Sequence, residues 1–164
     1  MIFRDKKQGY REDASRAGQI LRRLDRSAGE EAAPLSCAQE ADGGEAVRVV
    51  VVDDDREFVE RLVQFLTKNG YAARGFAEAQ EASQFLHRHR EVELVVTDIM
   101  LPGISGLDLL GGLRAARRSI GMVVMSGFAD GIEEAKVAKL GATFLPKPFR
   151  LASFLSAVEG ELRS

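Results

Sequence analysis

Four short polar signals in this chain each follow an apolar run. They are Asp53-Asp54-Asp55 after Val49–Val52, Asp98 after Leu94–Val96, Ser126 after Met122–Met125 and Lys147 after Phe144–Leu145. If each run is a strand of one parallel sheet, the acids, the hydroxyl and the amine emerge at its carboxyl edge, where open α/β sheets bind ligands. Carboxylates that converge beside an amine and a hydroxyl predict a site for phosphate chemistry.

From Val47 onward the apolar pattern alternates between strand and helix. The predicted strands are 47–52, 71–76, 94–97, 122–125 and 143–145, and the predicted helices are 56–69, 78–90, 107–117, 132–140 and 151–162. The run at 47–52 is almost entirely β-branched, which is typical of a strand buried on both faces, whereas the partly polar 71–76 suits a sheet edge.

This alternation favours an α/β fold. Right-handed crossovers lead us to expect a flavodoxin-like, doubly wound sheet of five parallel strands in the order 2-1-3-4-5, with five helices. That order places the first and third strands side by side, so Asp53, Asp54 and Asp98 are expected to converge.

Length and composition indicate one domain with an N-terminal extension. The chain has 164 residues, of which 45% are hydrophobic and 29% charged, and its net charge of −2 argues against a dedicated nucleic-acid surface. We predict that residues 1–46 are a largely disordered extension, with the spacing of a short amphipathic helix at 12–27, and that 47–164 form the domain. The single Cys37 excludes an internal disulfide. No signal peptide or membrane span is evident, so we expect a cytoplasmic protein.

Four motifs in this order resemble the receiver domain of response regulators, the proteins of two-component signalling. They are Val51–Asp55, Thr97–Gly103, Met125–Gly127 and Phe144–Phe149. The resemblance covers roughly 47–162, and it is specific because four separated motifs lie on the matching elements. It implies that Asp98 accepts a phosphoryl group from a histidine kinase or phosphotransfer protein. The chain would then be a self-catalysed phosphoryl acceptor rather than a turnover enzyme.

The resemblance also implies roles for the residues around Asp98. The implied Mg²⁺ ligands are the carboxylates of Asp53, Asp54 and Asp98 and the backbone carbonyl of Met100. Such oxygen ligands suit this cation, which must offset charge as a carboxylate attacks a phosphoryl group. Ser126 is the implied switch hydroxyl, and Lys147 is the implied phosphoryl contact, joined to Pro148 by a cis peptide bond.

Phe144 matches the position of the rotating aromatic residue in this family. An aromatic side chain on a strand is as often plain core, so switching and packing both stay open for Phe144. Phosphorylation is implied to reshape 132–140 and 144–162, where a downstream effector or a second copy of the chain docks. Because the sequence ends at Ser164, just after the last predicted helix, we expect no DNA-binding domain in cis and signalling to a separate protein.

Two other functions are compatible with parts of the pattern. One is a receiver-like adapter that acts without phosphorylation. The other is a haloacid-dehalogenase-like phosphatase, in which Asp53 of the Asp-x-Asp pattern is the nucleophile, although that hypothesis leaves the Asp98 motif unexplained. Surface placement is the default for His87 and His89, since residues two apart on the predicted helix do not share a face.

Overall fold

A computed structural model describes residues 47–116, 119–127 and 131–163. The predicted extension, including its helix at 12–27, lies outside these residues, so the proposed division at residue 46 stays a prediction. No helix within the described part of the chain is long and apolar enough to cross a membrane.

The described residues form one parallel sheet flanked by helices. Its strands are β1 (Val49–Val52), β2 (Ala73–Phe76), β3 (Leu94–Asp98), β4 (Gly121–Ser126) and β5 (Thr143–Pro146), and the helices are α1 (Arg56–Lys68), α2 (Ala79–Arg88), α3 (Gly106–Ala116), α4 (Gly131–Lys139) and α5 (Leu151–Leu162). The strand order is β2-β1-β3-β4-β5, with every neighbouring pair parallel. The predicted fold class and strand order are confirmed, including the edge position of β2.

Element boundaries differ from the predictions by a few residues. Strand β1 begins at Val49 rather than Val47, while β3 extends through Asp98 and β4 through Ser126. Helix α2 ends at Arg88, and His89 follows it as the C-cap residue. The placement of His89 on the second helix was therefore wrong.

Alternate residues of β1 build the two apolar layers. Val50 and Val52 pack in a cluster with apolar residues of α2, α3 and α4. Val49 and Val51 pack in a second cluster with those of α1 and α5. Because successive side chains of a strand point to opposite faces, a strand covered on both sides must be apolar throughout, as the sequence of β1 is.

The register of the strands determines which polar residues lie next to one another at the carboxyl edge of the sheet. Val52 of β1 lies opposite Thr97 of β3, so that Asp53 and Asp98 come next on neighbouring strands. On the other side, Ser126 of β4 pairs with Pro146 of β5, directly before Lys147. Residues separated widely in sequence thus reach the same edge of the sheet.

Candidate functional site

Two acids and one lysine meet at the carboxyl edge of the sheet. Lys147 Nζ donates hydrogen bonds to Asp53 Oδ2 at 2.6 Å and to Asp98 Oδ2 at 2.5 Å. The side chains are largely removed from solvent, with exposed fractions of 2% for Asp53, 12% for Asp98 and 24% for Lys147. The ammonium group therefore bridges two carboxylates in a partly dry environment, where charge–charge interactions are stronger than in water.

Backbone amides hold the second oxygen of each carboxylate. Asp53 Oδ1 accepts from the amide of Asp55 at 3.0 Å, and Asp98 Oδ1 accepts from the amide of Met100 at 2.8 Å. Each carboxylate consequently has one oxygen fixed by its own loop and one oxygen directed to Lys147. This arrangement fixes the rotation of both acids and aims them at the same point.

The three consecutive acids have three different environments. Asp53 is buried in the site, while Asp54 is exposed. Asp55 caps α1, since its side chain accepts from the amide of Phe58 at 3.0 Å. Helix capping thus explains one member of the acidic run and leaves Asp53 and Asp54 for other chemistry.

The remaining predicted site residues lie around this cluster. Ser126 is fully buried, and its carbonyl oxygen accepts from the amide of Lys147 at 2.7 Å. The side chain of Met100 is exposed, and its amide serves Asp98 as described. Phe144 is half-buried and packs against the apolar layer of α2, α3 and α4. The peptide bond between Lys147 and Pro148 is cis, which confirms that expectation.

Burial and pairing act in opposite directions on the pKa values of the cluster. Burial raises the pKa of Asp53, and the hydrogen bonds from Lys147 and from the amide of Asp55 offset only part of this, so it lies above the usual value. For Lys147, burial alone would lower the pKa, but the hydrogen bonds to Asp53 and Asp98 outweigh it and leave the pKa above its usual value. Lys147 is therefore a stable cation at neutral pH.

Gly106 is a site residue that the sequence analysis missed. A Cβ atom at this position would lie 1.9 Å from the carbonyl oxygen of Asp98, so a side chain here would displace the end of β3. The Gly106 amide donates to the carbonyl of Ile99 at 3.0 Å, which closes the loop after the acid onto the start of α3. A glycine at the start of the predicted helix was the available signal, but the close approach is a tertiary contact.

The oxygen atoms available at the carboxyl edge of the sheet are of the type that a hard divalent cation binds. Asp53 and Asp98 supply buried carboxylate oxygens, and the exposed Asp54 and the backbone carbonyl of Met100 supply oxygen donors from the adjoining loops. Oxygen donors of this kind, completed by water, are what Mg²⁺ requires. No cluster of three His, Cys, Asp or Glu residues already arranged for a metal occurs among the described residues, and Lys147 Nζ binds one oxygen of Asp53 and one of Asp98. The residues fit the cation by type, with the ammonium in competition for the same oxygens.

Comparison with known proteins identifies the family to which this sheet and its acidic site belong. The family model described as the response regulator receiver domain matches residues 49–159. The chain belongs to this family. Mg²⁺ and phosphorylation are typical of its members. The receiver fold is thereby shown and is consistent with phosphorelay signalling, and the adapter and phosphatase alternatives are not favoured.

Two curated relatives illustrate the extent of the similarity. The transcriptional regulatory protein FixJ of Azorhizobium caulinodans is 36% identical over 121 residues, which are 72% of this chain and 56% of FixJ. The DNA-binding transcriptional regulator NtrC of Azospirillum brasilense is 33% identical over 120 residues, covering 73% of this chain and 25% of NtrC. The chain thus spans a quarter to about half of the length of these relatives.

Solved structures agree with the fold of this receiver domain. A response regulator receiver protein from Pseudomonas putida is 36% identical and superposes with a TM-score of 0.66, covering 73% of this chain and 100% of that one. The crystal structure of FixJ-N is 29% identical in sequence and superposes with a TM-score of 0.65, covering 73% of this chain and 95% of that one.

Proposed function

We propose that this receiver domain accepts a phosphoryl group on Asp98 from the phosphohistidine of a kinase or phosphotransfer protein. The observation that carries the proposal is the position of Lys147 Nζ, which bonds to both Asp53 and Asp98 at the carboxyl edge of the sheet. Asp98 lies at the end of a buried strand with one oxygen fixed by an amide, so its other oxygen can attack in a defined direction.

Neutralisation of charge is the central requirement of this transfer. A carboxylate that approaches a phosphoryl group brings together negative charges, and cations at the oxygens lower the barrier. Asp53, Asp54, Asp98 and the backbone carbonyl of Met100 would hold Mg²⁺, which would supply part of this positive charge. Lys147 supplies the rest as a compact ammonium with three donors.

The switch uses residues next to the acceptor. Phosphorylation gives Asp98 a larger group with additional acceptor oxygens, and Ser126, buried one strand away, is the hydroxyl we assign to it. Phe144 is half-buried on the next strand, and we assign the change of ring position to it. We propose that the resulting change of α4, β5 and α5, within 132–140 and 144–162, is read by an effector protein or a second copy of the chain.

Intact-mass measurement tests the acceptor assignment. The wild-type chain and Asp98→Asn are incubated with acetyl phosphate, with and without Mg²⁺, and Asp108→Asn, which changes an exposed acid on α3, serves as the control. We expect a metal-dependent phosphoryl adduct on the wild type and on Asp108→Asn, but none on Asp98→Asn. An adduct on folded Asp98→Asn would refute the assignment, and the absence of any adduct on the wild type would favour the phosphorylation-independent adapter.

A further inference from the structure

The ammonium group of Lys147 has an aromatic neighbour besides its two carboxylates. Lys147 Nζ lies 4.8 Å from the centroid of the Phe58 ring, which is within the range of a cation–π interaction. The ring face is electron-rich, so it attracts the ammonium without accepting a hydrogen bond. Phe58 therefore contacts the charged end of Lys147 and leaves its donors to the carboxylates.

Phe58 itself is held in a fixed position. Its amide donates to Asp55 at the start of α1, which anchors the backbone of the first helical turn. Its ring is tilted against Phe149 with 6.0 Å between centroids, and Phe149 in turn stacks on the fully buried Phe154 at 5.8 Å. A row of three rings thus connects the ammonium of Lys147 with the apolar layer between α1 and α5.

The same ring also forms part of the wall of an open cavity beside the acids. The cavity has a volume of about 400 Å³, and it is lined by Asp53, Asp55, Phe58, Lys147, Pro148 and Phe149. Lys147 is partly exposed and has four rotatable side-chain bonds, so its ammonium has free space into which it can turn away from the carboxylates. The Phe58 ring favours the conformation in which Lys147 faces Asp98.

We infer that Phe58 is a positioning residue for phosphoryl transfer, which acts by holding the Lys147 ammonium at Asp53 and Asp98 through the face of its ring. This inference rests on the proposed role of Lys147 in the transfer to Asp98. Its consequence is that the electron density of the ring, and not merely its volume, sets the fraction of time during which Lys147 is in place.

Rates of phosphorylation by acetyl phosphate in saturating Mg²⁺ test the inference on the full chain. We expect Phe58→Leu, which keeps an apolar side chain but removes the ring face, to be phosphorylated about fivefold more slowly, the size expected for one partly exposed cation–π contact. The matched control is Phe65→Leu on the same helix, because Phe65 packs against Phe154 and has no contact with Lys147 Nζ. We expect that control to react at the wild-type rate.

A graded series of variants at position 58 separates the effect of the electron-rich ring face from the effect of packing. Site-specific replacement of Phe58 by phenylalanines with increasing fluorination keeps the ring in place while weakening its attraction for a cation. We expect the phosphorylation rate to fall stepwise along the series, and this series decides the matter if Phe58→Leu does not fold. Equal rates along the series, or equal slowing by Phe65→Leu, would overturn the positioning role. A wild-type chain that gains no phosphoryl group would instead refute the proposed function itself.

Discussion

Replacing Lys147 by methionine removes the charge that bridges the two buried acids. Methionine retains most of the length and apolar stem of lysine, so the packing beside Phe58 is conserved while the ammonium is lost. Asp53 and Asp98 then face each other with only their backbone hydrogen bonds, those from the amides of Asp55 and Met100.

The size of the effect follows from the burial of the partners. Removing one member of a buried ion pair costs about 3–5 kcal/mol, because the remaining charge is left without compensation. Of the two remaining carboxylates, Asp53 is 2% and Asp98 12% exposed, so water partly solvates Asp98, and the backbone hydrogen bonds to both acids place the cost at the lower end of the range. We expect Lys147→Met to lose about 3 kcal/mol of unfolding free energy at neutral pH without metal.

Magnesium should reverse a large part of this loss. The variant has two facing carboxylates and no competing ammonium, so a divalent cation binds it more tightly than it binds the wild type. Because tighter binding to the folded state raises stability by mass action, saturating Mg²⁺ stabilises Lys147→Met more than it stabilises the wild type.

Urea unfolding with and without Mg²⁺ measures both effects. Lys68→Met is the control, since Lys68 is exposed in the last turn of α1, where the loss of its charge costs at most about 1 kcal/mol. If Lys147→Met is destabilised no more than Lys68→Met, the ammonium does not compensate the buried acids. Equal stabilisation of wild type and variant by Mg²⁺ would contradict the competition between Lys147 and the cation.

Two further predictions concern the loop after Asp98 and the titration of Asp53. Gly106→Ala should lower the unfolding free energy by about 2 kcal/mol or more, because its Cβ would lie 1.9 Å from the Asp98 carbonyl oxygen. Gly111→Ala in the same helix has nothing within 4 Å of its Cβ and should instead stabilise by up to about 1 kcal/mol in urea titrations; loss of stability in both variants would contradict the close contact. Since burial raises the pKa of Asp53, this proposed ligand takes up a proton at a higher pH than an ordinary aspartate, so calorimetry in a series of buffers from neutral to acidic should show Mg²⁺ binding that weakens, with proton release, as the pH falls. A Mg²⁺ affinity that is constant over this range would exclude Asp53 as a ligand.

The strand order and the convergence of Asp53 with Asp98 were predictable because each depends on local patterns combined with a general rule. The β-branched run before Asp53 indicated a fully covered strand, and the handedness of crossovers left few topologies. The polar composition of β2 indicated that this strand lies at an edge of the sheet, since an edge strand needs less apolar surface.

Local sequence patterns could not predict other parts of the site. An Asp that follows a strand commonly caps the next helix, but the sequence does not say which of the three consecutive acids turns toward the helix. Gly106 was missed because its requirement comes from the distance between α3 and the end of β3, and local periodicity contains no information on that distance.

The sequence by itself determined which elements form, in which order the strands lie and which polar residues reach the carboxyl edge. These properties follow from periodicity and from chain connectivity, which act over short stretches. Tertiary structure alone decided that Lys147 bridges two acids that lie 94 and 49 residues before it, and that the Phe58 ring faces its ammonium. Side-chain partners are fixed by strand register, by helix packing and by the rotamers that fit between them, and none of these is set until the whole core has formed.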